Sequence, residues 1–232
     1  LAPGRACLLG AEAHHLARVL RVRVGDPVQA FDGRGRLADG AVQAIDDDGV
    51  DVVLSEPRPS DREAPVRLTV AVALLKGDKL SGVVRQATEL GVVRIAPLLT
   101  RRADVPRLSA AKLTRLRRVA DEAAKQCGRA VVPVVDEPAP LSTWAWEGVA
   151  WVADPSAERH VAEVADAYAR APVDDRLTVV TGPEGGFDDK ELRTLTERGA
   201  VPIGLGPRIL RAETAPLTAA AVAIAAAERP WP

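Results

Sequence analysis

Two glycine- and proline-rich segments near the C-terminal end of the chain have the composition of ligand-binding loops. They read Thr181-Gly-Pro-Glu-Gly-Gly-Phe187 and Gly204-Leu-Gly-Pro-Arg-Ile-Leu-Arg-Ala-Glu-Thr214. Each follows an apolar run typical of a strand and precedes the start of a predicted helix. Glycine lets the main chain approach a ligand closely, and open α/β sheets bind their ligands in loops at strand ends. The two segments therefore predict a small-molecule site.

Three well-known loop motifs, for binding phosphate, for binding a dinucleotide and for holding a hydrolase nucleophile, are absent. Lys76-Gly-Asp78 lacks the Ser or Thr that completes a phosphate-binding P-loop, and Gly204-Leu-Gly206 lacks the third glycine of a dinucleotide fingerprint. The Gly-x-Ser-x-Gly turn of a hydrolase nucleophile does not occur either. We also expect no metal, because metal-ligand spacing is missing among the cysteines and histidines, which are Cys7, Cys127, His14, His15 and His160.

A proline-rich stretch at 57–65 predicts a boundary between two domains, which we place at 1–62 and 66–232. Residues 1–56 predict five or so short strands joined by tight turns such as Asp32-Gly33, and hence a small β-barrel. After the boundary, strand and helix patterns alternate. This alternation predicts an α/β fold with a mostly parallel sheet covered on both faces.

The alternating part of the chain also predicts individual elements. Strands are expected at 68–75, 93–99, near 131–135, and at 149–153, 177–181 and 201–205. Helices are expected at 78–90, 109–126, 157–170, 188–199 and 214–228. Thr214 is the expected N-cap of the last helix, and Asp188 with Glu191 forms an expected capping box.

Composition and charge limit the class of protein. A formal net charge of −1 excludes a protein coated with positive charge, but residues 101–129 contain nine basic residues against three acidic ones. Such a local excess favours contact with phosphate groups, although a solvated helix face would have the same composition. The longest apolar run, 215–227, is too short to cross a bilayer, so no membrane partner is expected.

The cysteines and the first residue of the chain bear on its cellular context. The widely separated cysteines imply no disulfide framework and favour a reducing cytoplasm. The chain begins at Leu1 and contains no Met, which leaves open whether the natural N-terminus is missing.

Several motifs, in this order and at these spacings, resemble the bacterial ribosomal RNA uridine-N3 methyltransferases, a family of the SPOUT superfamily. They are His14-His-Leu-Ala-Arg-Val-Leu-Arg21 with Gly25-Asp26, Lys76-Gly-Asp-Lys79, Gln86-Ala-Thr-Glu-Leu-Gly-Val92, Gln126-Cys-Gly-Arg129, Gly182-Pro-Glu-Gly-Gly186 and Leu205-Gly-Pro-Arg-Ile-Leu-Arg-Ala-Glu-Thr-Ala215. The resemblance extends over nearly the whole chain. Two departures, Lys125 in place of the usual Glu and Thr100-Arg-Arg102 without an acidic residue, are expected to affect RNA contacts more than chemistry.

The resemblance implies a fold and ligands that the residue patterns alone do not. It implies a C-terminal SPOUT α/β domain with a deep trefoil knot, a PUA-like N-terminal β-barrel that binds RNA, and a homodimer. S-adenosylmethionine (SAM) would be the cofactor, and 16S ribosomal RNA of the small subunit would be the substrate. The residues that match the family's cofactor loops are Thr181, Gly182, Pro183, Glu184, Gly185, Gly186, Leu205, Gly206, Ile209, Leu210, Arg211 and Thr214.

The reaction that the resemblance implies needs a group that stabilises charge. The proton on uridine N3 must leave, and a cation near O2 or O4 would stabilise the negative charge that develops. Arg211 is the first candidate and Arg129 the second. Glu213 or Glu184 could accept the proton. Alternatively, Glu213 could cap the helix that begins near Thr214, and Glu184 could be a carboxylate in a surface loop. Leu205, Ile209 and Leu210 either pack on adenine or belong to the core.

Basic residues along the chain are the expected RNA contacts: Arg18, Arg21, Lys76, Lys79, Arg101, Arg102, Arg115, Arg118, Lys125 and Arg129. Arg115 and Arg118 share one face of the predicted helix at 109–126, away from its apolar stripe. Tryptophans are expected in the core or at a subunit interface, at Trp144, Trp146 and Trp151. Cys127 could be a nucleophile for methylation of a pyrimidine at C5, but no partner base is evident and a structural role is favoured.

Two other functions stay open on the sequence alone. A SPOUT methyltransferase that modifies a different RNA or base atom would have the same loops. A catalytically silent RNA-binding assembly factor could also keep the fold. SAM binding with turnover distinguishes the enzymes from the silent factor.

Overall fold

The computed structural model of the protein describes residues 1–170 and 174–228, and these divide into two compact units. The first unit contains Leu1–Glu63 together with Gly128–Val131, and the second contains Ala64–Cys127 and the chain from Val132 onward. The segment 128–131 thus belongs to the first unit, although it comes late in the sequence. The expected second domain, 66–232, includes 171–173 and 229–232, which lie outside the described residues.

The first unit is built on an antiparallel sheet. Its strands are β1 (Gly4–Leu8), β2 (Pro27–Phe31), β3 (Arg36–Ile45), β4 (Val50–Leu54) and β5 (Arg58–Pro59). The sheet order is β1-β4-β3-β2, and β5 pairs with β3. Along β4, the alternate residues Val50, Val52 and Leu54 are buried while Asp51 is exposed. This period of two places one face of the sheet on a small core, as the sequence pattern predicts.

Residues 10–20 are helical, so the prediction that 1–56 consists of short strands and turns was wrong in this segment. Helix α1 (Gly10–His14) runs into a π-helical turn (His15–Leu20), which ends at Arg21 with a φ of 55°. Ala13, Leu16 and Ala17 pack against the core of the sheet. Their spacing is that of a helix rather than a strand, so the signal was present in the sequence.

A buried ion pair fixes the late segment of the first unit. Arg129 is only 4% exposed, and its Nη2 lies 2.7 Å from Glu63 Oε2. The second oxygen of Glu63 accepts hydrogen bonds from the N–H groups of Ala130 (2.9 Å) and Val131 (3.1 Å). One carboxylate therefore satisfies a guanidinium and two main-chain donors, which is what a buried charge requires.

The second unit is an α/β sheet in which every strand pairing is parallel. Its strands are β6 (Arg67–Ala73), β7 (Arg94–Leu99), β8 (Val134–Val135), β9 (Ala139–Pro140), β10 (Val149–Ala153), β11 (Arg176–Thr181) and β12 (Val201–Ile203). The sheet order is β12-β10-β11-β6-β7-β8, with β9 beside β7. Its helices are α2 (Lys79–Leu90), α3 (Ala110–Cys127), α4 (Val161–Arg170), α5 (Asp189–Glu197) and α6 (Thr214–Ala227).

Both faces of this sheet are covered, as the alternating pattern predicts. The central strand β11 is buried from Leu177 to Thr181 without interruption, the pattern of a strand enclosed on both sides. Trp151 is 1% exposed and meets Tyr168 edge-on at 5.8 Å in the larger core. Trp144 and Trp146 pack in the core on the opposite face of the sheet. Trp144, Trp146 and Trp151 thus all pack in the cores of this unit.

The helix termini follow the sequence prediction at one end and depart from it at another. Asp188 Oδ1 caps α5 by accepting a hydrogen bond from Glu191 N at 2.7 Å, and Glu191 Oε2 accepts one from Asp188 N at 3.0 Å. The predicted capping box is therefore confirmed. The N-cap of α6 is Glu213, not Thr214, which is the first helical residue. Within the described residues, no helix has the length and apolarity needed to cross a membrane.

Removing the N-cap of α5 should lower stability without changing the fold. In Asp188→Ala the N–H of Glu191 loses its acceptor, so the midpoint of thermal unfolding should fall by roughly 2–4 °C. The hydrogen bond from that N–H lowers the pKa of Asp188 below its ordinary value of 3.8. The contribution is therefore complete above the ordinary pKa and is lost as the pH falls through the lower folded-state pKa.

The control for this prediction is Asp189→Ala, which removes a neighbouring carboxylate from the same helical turn but leaves the cap intact. Circular dichroism melting curves at pH 7 and at pH 3 measure both variants. An equal loss of stability in the two variants at pH 7 would contradict the capping role.

Candidate active site

The loops after four adjacent strands meet at one edge of the second unit. The strands β12, β10, β11 and β6 are parallel neighbours, so their carboxyl ends lie together. Their loops enclose a cavity of about 550 Å³. Eleven of the twelve expected cofactor residues line it, namely Thr181, Gly182, Pro183, Glu184, Gly185, Gly186, Leu205, Gly206, Ile209, Leu210 and Arg211. Thr214 is not among the lining residues.

Sequence reasoning missed part of the cavity wall. Ala153, Asp154 and Pro155 line it from the end of β10, and Phe187, Leu192, Arg208, Ala212 and Ala215 complete the set with Lys79. The end of β10 was missed because β10 lies between β11 and β12 in the sheet but before both in the chain. An Asp-Pro pair directly after a predicted strand was the available signal.

The first glycine loop, 181–187, is held in one conformation. Gly186 N donates to Pro183 O at 2.9 Å, and Gly186 has a φ of +67°, which favours glycine. Arg102 Nη1 donates to the carbonyl oxygens of Gly185 (3.3 Å) and Phe187 (3.1 Å). Arg102 was expected to contact RNA, but in this structure its side chain stabilises the loop through these two hydrogen bonds.

The hydroxyl of Thr181 is a buried group without a partner. Thr181 is 1% exposed and lines the cavity, and its Oγ1 makes no hydrogen bond to any part of the chain that the structure describes. Burying an unpaired hydroxyl costs free energy, so such groups are rare unless a ligand or water satisfies them. The hydroxyl at the end of β11 is therefore a group that a polar atom of a ligand could satisfy.

The second loop, 204–213, presents apolar and cationic side chains to the cavity. Ile209 is 83% exposed, so it is not a core residue, whereas Leu205 also packs against the larger core. Gly206 in this loop has a φ of +102°, a backbone conformation that favours glycine. Arg211 is exposed at the cavity, and within residues 1–170 and 174–228 no acidic side chain pairs with its guanidinium. A free guanidinium beside an apolar surface suits a ligand with both a planar ring and negative charge.

Lys79 joins the two loops through ion pairs. Its Nζ lies 2.9 Å from Glu184 Oε1 in the first loop and 3.2 Å from Glu213 Oε2 at the end of the second. Lys79 was expected to contact RNA, but the structure places it in the cavity wall. Contact with Glu184 first, and with Glu213 second, raises the pKa of the Lys79 ammonium above 10.5. The ammonium is therefore charged throughout the physiological range.

The same ion pair sets the proton affinity of Glu184. Burial acts to raise the pKa of its carboxyl, but the hydrogen bond from Lys79 and two main-chain donors outweigh burial and hold the pKa below 4.5. One of those donors is Lys76 N, 3.4 Å from Glu184 Oε1. A carboxylate with a lowered pKa is a weaker base, so Glu184 is poorly suited to accept a proton at neutral pH.

The other expected RNA contacts are distributed over both units. In the second unit, several basic side chains pair with acidic neighbours: Lys76 with Asp104, Arg101 with Asp188, Arg115 with Asp78, Arg118 with Glu122 and Lys125 with Asp121. Arg115 and Arg118 keep side-chain exposures of 54% and 70%. Arg18 and Arg21 are exposed on the first unit.

Two candidate residues are engaged in local structure. Arg129 is buried against Glu63 in the first unit, so a catalytic or RNA-binding role would require that ion pair to open. Cys127 is half-buried, and its Sγ donates to Ala124 O in its own helix at 3.6 Å. In the described ranges, no cluster of three or more His, Cys, Asp or Glu residues is arranged to hold a metal ion.

The chain matches two family models. The model of an RNA methyltransferase domain matches residues 62–224, and the model of an RNA methyltransferase PUA domain matches residues 8–55. Among curated relatives, ribosomal RNA small subunit methyltransferase E of Bacillus subtilis is 32% identical over 221 residues, covering 91% of this chain and 86% of the relative. The protein of the same name from Synechocystis is 34% identical over 229 residues, covering 92% and 71%.

Solved structures agree with these matches. A ribosomal RNA small subunit methyltransferase E from Neisseria gonorrhoeae, bound to SAM, superposes with a TM-score of 0.84 at 27% identity, covering 95% of this chain and 92% of the other. A methyltransferase from Legionella pneumophila, solved in complex with SAM, gives 0.83 at 30% identity, covering 97% and 94%.

The fold and the matches together define an RNA methyltransferase with an α/β domain and a PUA-like N-terminal domain. The chain belongs to the family of ribosomal RNA small subunit methyltransferase E. The resemblance stated from the motifs is thereby confirmed.

Replacing Thr181 by Val tests the orphaned hydroxyl while keeping the shape of the side chain. Because this hydroxyl has no hydrogen bond to lose, the free energy of unfolding of Thr181→Val should stay the same or rise. The control is Thr88→Val, since Thr88 Oγ1 donates to Val84 O at 2.7 Å and its loss should cost about 1 kcal/mol. Urea unfolding measures both; an equal loss would show that Thr181 already has a partner.

Proposed function

We propose that this chain transfers the methyl group of SAM to N3 of a uridine in 16S ribosomal RNA of the small subunit. The observation that carries the proposal is the cavity itself, because the two loops that enclose it are those that match the methyltransferase family. The relatives named as small-subunit methyltransferases, and the neighbours solved with SAM, support the same substrate and cofactor.

The residues of the cavity fit SAM. The orphaned hydroxyl of Thr181 can bond a polar atom of the cofactor, and the glycines of both loops leave main-chain groups accessible to it. Leu205, Ile209 and Leu210 offer an apolar surface for adenine. Because Ile209 is exposed at the cavity, contact with the ligand is favoured over a role in the core. When bound, the cofactor supplies an electrophilic methyl group on a positively charged sulfur.

Arg211 is the residue to which we assign charge stabilisation. Its exposed guanidinium at the cavity can donate to O2 or O4 of the uridine and stabilise the negative charge that develops as the N3 proton leaves. Glu184 and Glu213 share the ammonium of Lys79, and the pKa of Glu184 is lowered. Because each carboxylate is already paired with this ammonium, we assign neither as the proton acceptor, and the proton passes to solvent water at the cavity mouth.

Basic residues on the second unit are the proposed surface for RNA. Residues 101–127 contain eight basic residues and three acidic ones, and most of the basic side chains lie on the exposed side of α3 or just before it. Partly exposed ion pairs such as that of Arg118 with Glu122 are weak, so these cations can exchange their partners for phosphate.

The finer features of the fold are proposals as well. We propose a SPOUT trefoil knot, which is supported by the way α6 returns from the outer strand β12 to pack on α2, β6 and β11. Domain limits of 1–62 and 66–232 are supported by the two units and by the two family matches. RNA binding by the first domain, a homodimer and a cytoplasmic location rest on the family resemblance.

The experiment that tests the function is methyl transfer from labelled SAM to small ribosomal subunits of a strain that lacks this gene. The modified nucleoside is then identified by mass spectrometry. A single 3-methyluridine in 16S RNA is the expected result. Another methylated nucleoside would contradict the uridine-N3 assignment but keep an RNA methyltransferase, whereas neither transfer nor SAM binding would favour a silent RNA-binding factor.

Arg211→Ala should impair turnover far more than cofactor binding. Loss of one donor to a developing negative charge typically lowers kcat by about 10²–10³-fold, while most SAM contacts stay in place. Single-turnover kinetics and calorimetric titration with SAM measure the two effects. Arg193→Ala, an exposed cation on α5 outside the cavity, is the control. Equal losses in turnover and in SAM affinity would rule out the catalytic assignment.

Charge reversal on α3 should weaken RNA binding and leave SAM binding unchanged. In Arg115→Glu combined with Arg118→Glu, two phosphate contacts are lost, so the slope of log affinity against log salt should fall by about 2. The single change Arg193→Glu on α5 controls for a general change in charge. Filter binding to 16S RNA at several salt concentrations provides the measurement, and an unchanged RNA affinity would refute the proposed surface.

A further inference from the structure

Lys79 occupies a position in its helix that is unfavourable for a positive charge. It is the first residue of α2, where the partial positive charge of a helix N-terminus disfavours a cation. Its ammonium nevertheless lies between two carboxylates that come from the loops after β11 and β12. A residue that breaks a local rule commonly serves a functional arrangement.

The contacts around Lys79 connect the two walls of the cavity. Glu184 Oε1 receives both Lys79 Nζ (2.9 Å) and Lys76 N (3.4 Å), so the segment after β6 holds the first loop at two points. Glu213 is the N-cap residue of α6 and ends the second loop. The three side chains are only 26–30% exposed, so solvent screens these ion pairs less than it screens pairs on the open surface.

We propose that Lys79 is a positioning residue for the cofactor, because it ties Glu184 of the first loop to Glu213 of the second. This inference rests on the proposed SAM site in the cavity. With the ammonium in place, the two loops already have the spacing that the ligand needs, and binding does not have to order them. Without it, two carboxylates face each other at the cavity wall and the loops separate.

The test compares SAM binding and turnover in Lys79→Gln, Lys79→Arg and the wild-type chain. Lys79→Gln should raise the Kd and the KM for SAM by about tenfold or more, because SAM must then order the loops when it binds and the net free energy of binding is smaller. Its kcat at saturating SAM and its affinity for RNA should stay within about threefold, since Lys79 touches neither reacting group. Lys79→Arg, which can bridge two carboxylates, should restore most of the SAM affinity.

The controls separate positioning from simple loss of stability. Arg85→Gln removes an exposed cation from the same helix and should leave the SAM affinity unchanged. When Lys79→Gln is added to a variant that already carries Glu184→Gln and Glu213→Gln, SAM binding should weaken less than twofold, because the partners of Lys79 are already neutral. Thermal unfolding without ligand is measured for every variant, and Glu184→Gln alone repeats the test if Lys79→Gln does not fold.

The outcomes distinguish this inference from the proposed function. A wild-type chain that does not bind SAM would contradict the function itself. A wild-type chain that binds SAM, with a Lys79→Gln variant that binds equally well, would overturn only the positioning role. Weakened RNA binding with unchanged SAM affinity would also overturn it and return Lys79 to the RNA surface. An equal effect in both charge backgrounds would show that the ion pairs are not the cause.

Discussion

The structure of the site depends on one geometric constraint, which is that parallel strands end at the same edge of their sheet. Strands β12, β10, β11 and β6 are neighbours, and the chain leaves the carboxyl end of each into a loop that lines the cavity. Segments that are far apart in sequence, such as 76–79 and 204–213, are thereby brought within the length of one side chain. The general rule that open α/β sheets bind ligands at these ends holds here.

The cavity is held in shape largely by polar contacts to its loops. Arg102 binds two carbonyl groups of the first loop, Asp188 and Glu191 fix the helix that follows it, and Lys79 pairs with a carboxylate from each loop. The hydroxyl of Thr181, which lies at the end of β11, has no hydrogen-bond partner in the described residues. Loops that such contacts hold in place before a ligand arrives are suited to bind one.

Sequence reasoning succeeded where the signal is local. The capping box of Asp188 with Glu191 and the short strands of the first unit depend mainly on neighbouring residues, and the structure shows both. The glycine loops were also found from composition and spacing. The helix over 10–20 was missed because turn signals were weighed above the helical spacing of Ala13, Leu16 and Ala17.

What the sequence could not provide is the order of strands in space. Because β10 lies between β11 and β12, Asp154 reaches a cavity that its position in the chain does not suggest. Lys79 was assigned to RNA from its charge alone, since its partners are more than a hundred residues away. Arg129 was placed beside the active site by its motif, yet it is buried in the first unit with Glu63. Long-range pairing of charges leaves no local pattern.

The measurement that tests this account most directly is a crystal structure of the chain grown with SAM. The account predicts that the cofactor lies between the loops 181–187 and 204–213, with one of its polar atoms about 3 Å from Thr181 Oγ1 and its adenine against Ile209 or its leucine neighbours. Arg211 should remain free to face the acceptor base. A cofactor bound elsewhere in the chain, or a Thr181 hydroxyl still without a partner in the complex, would contradict it.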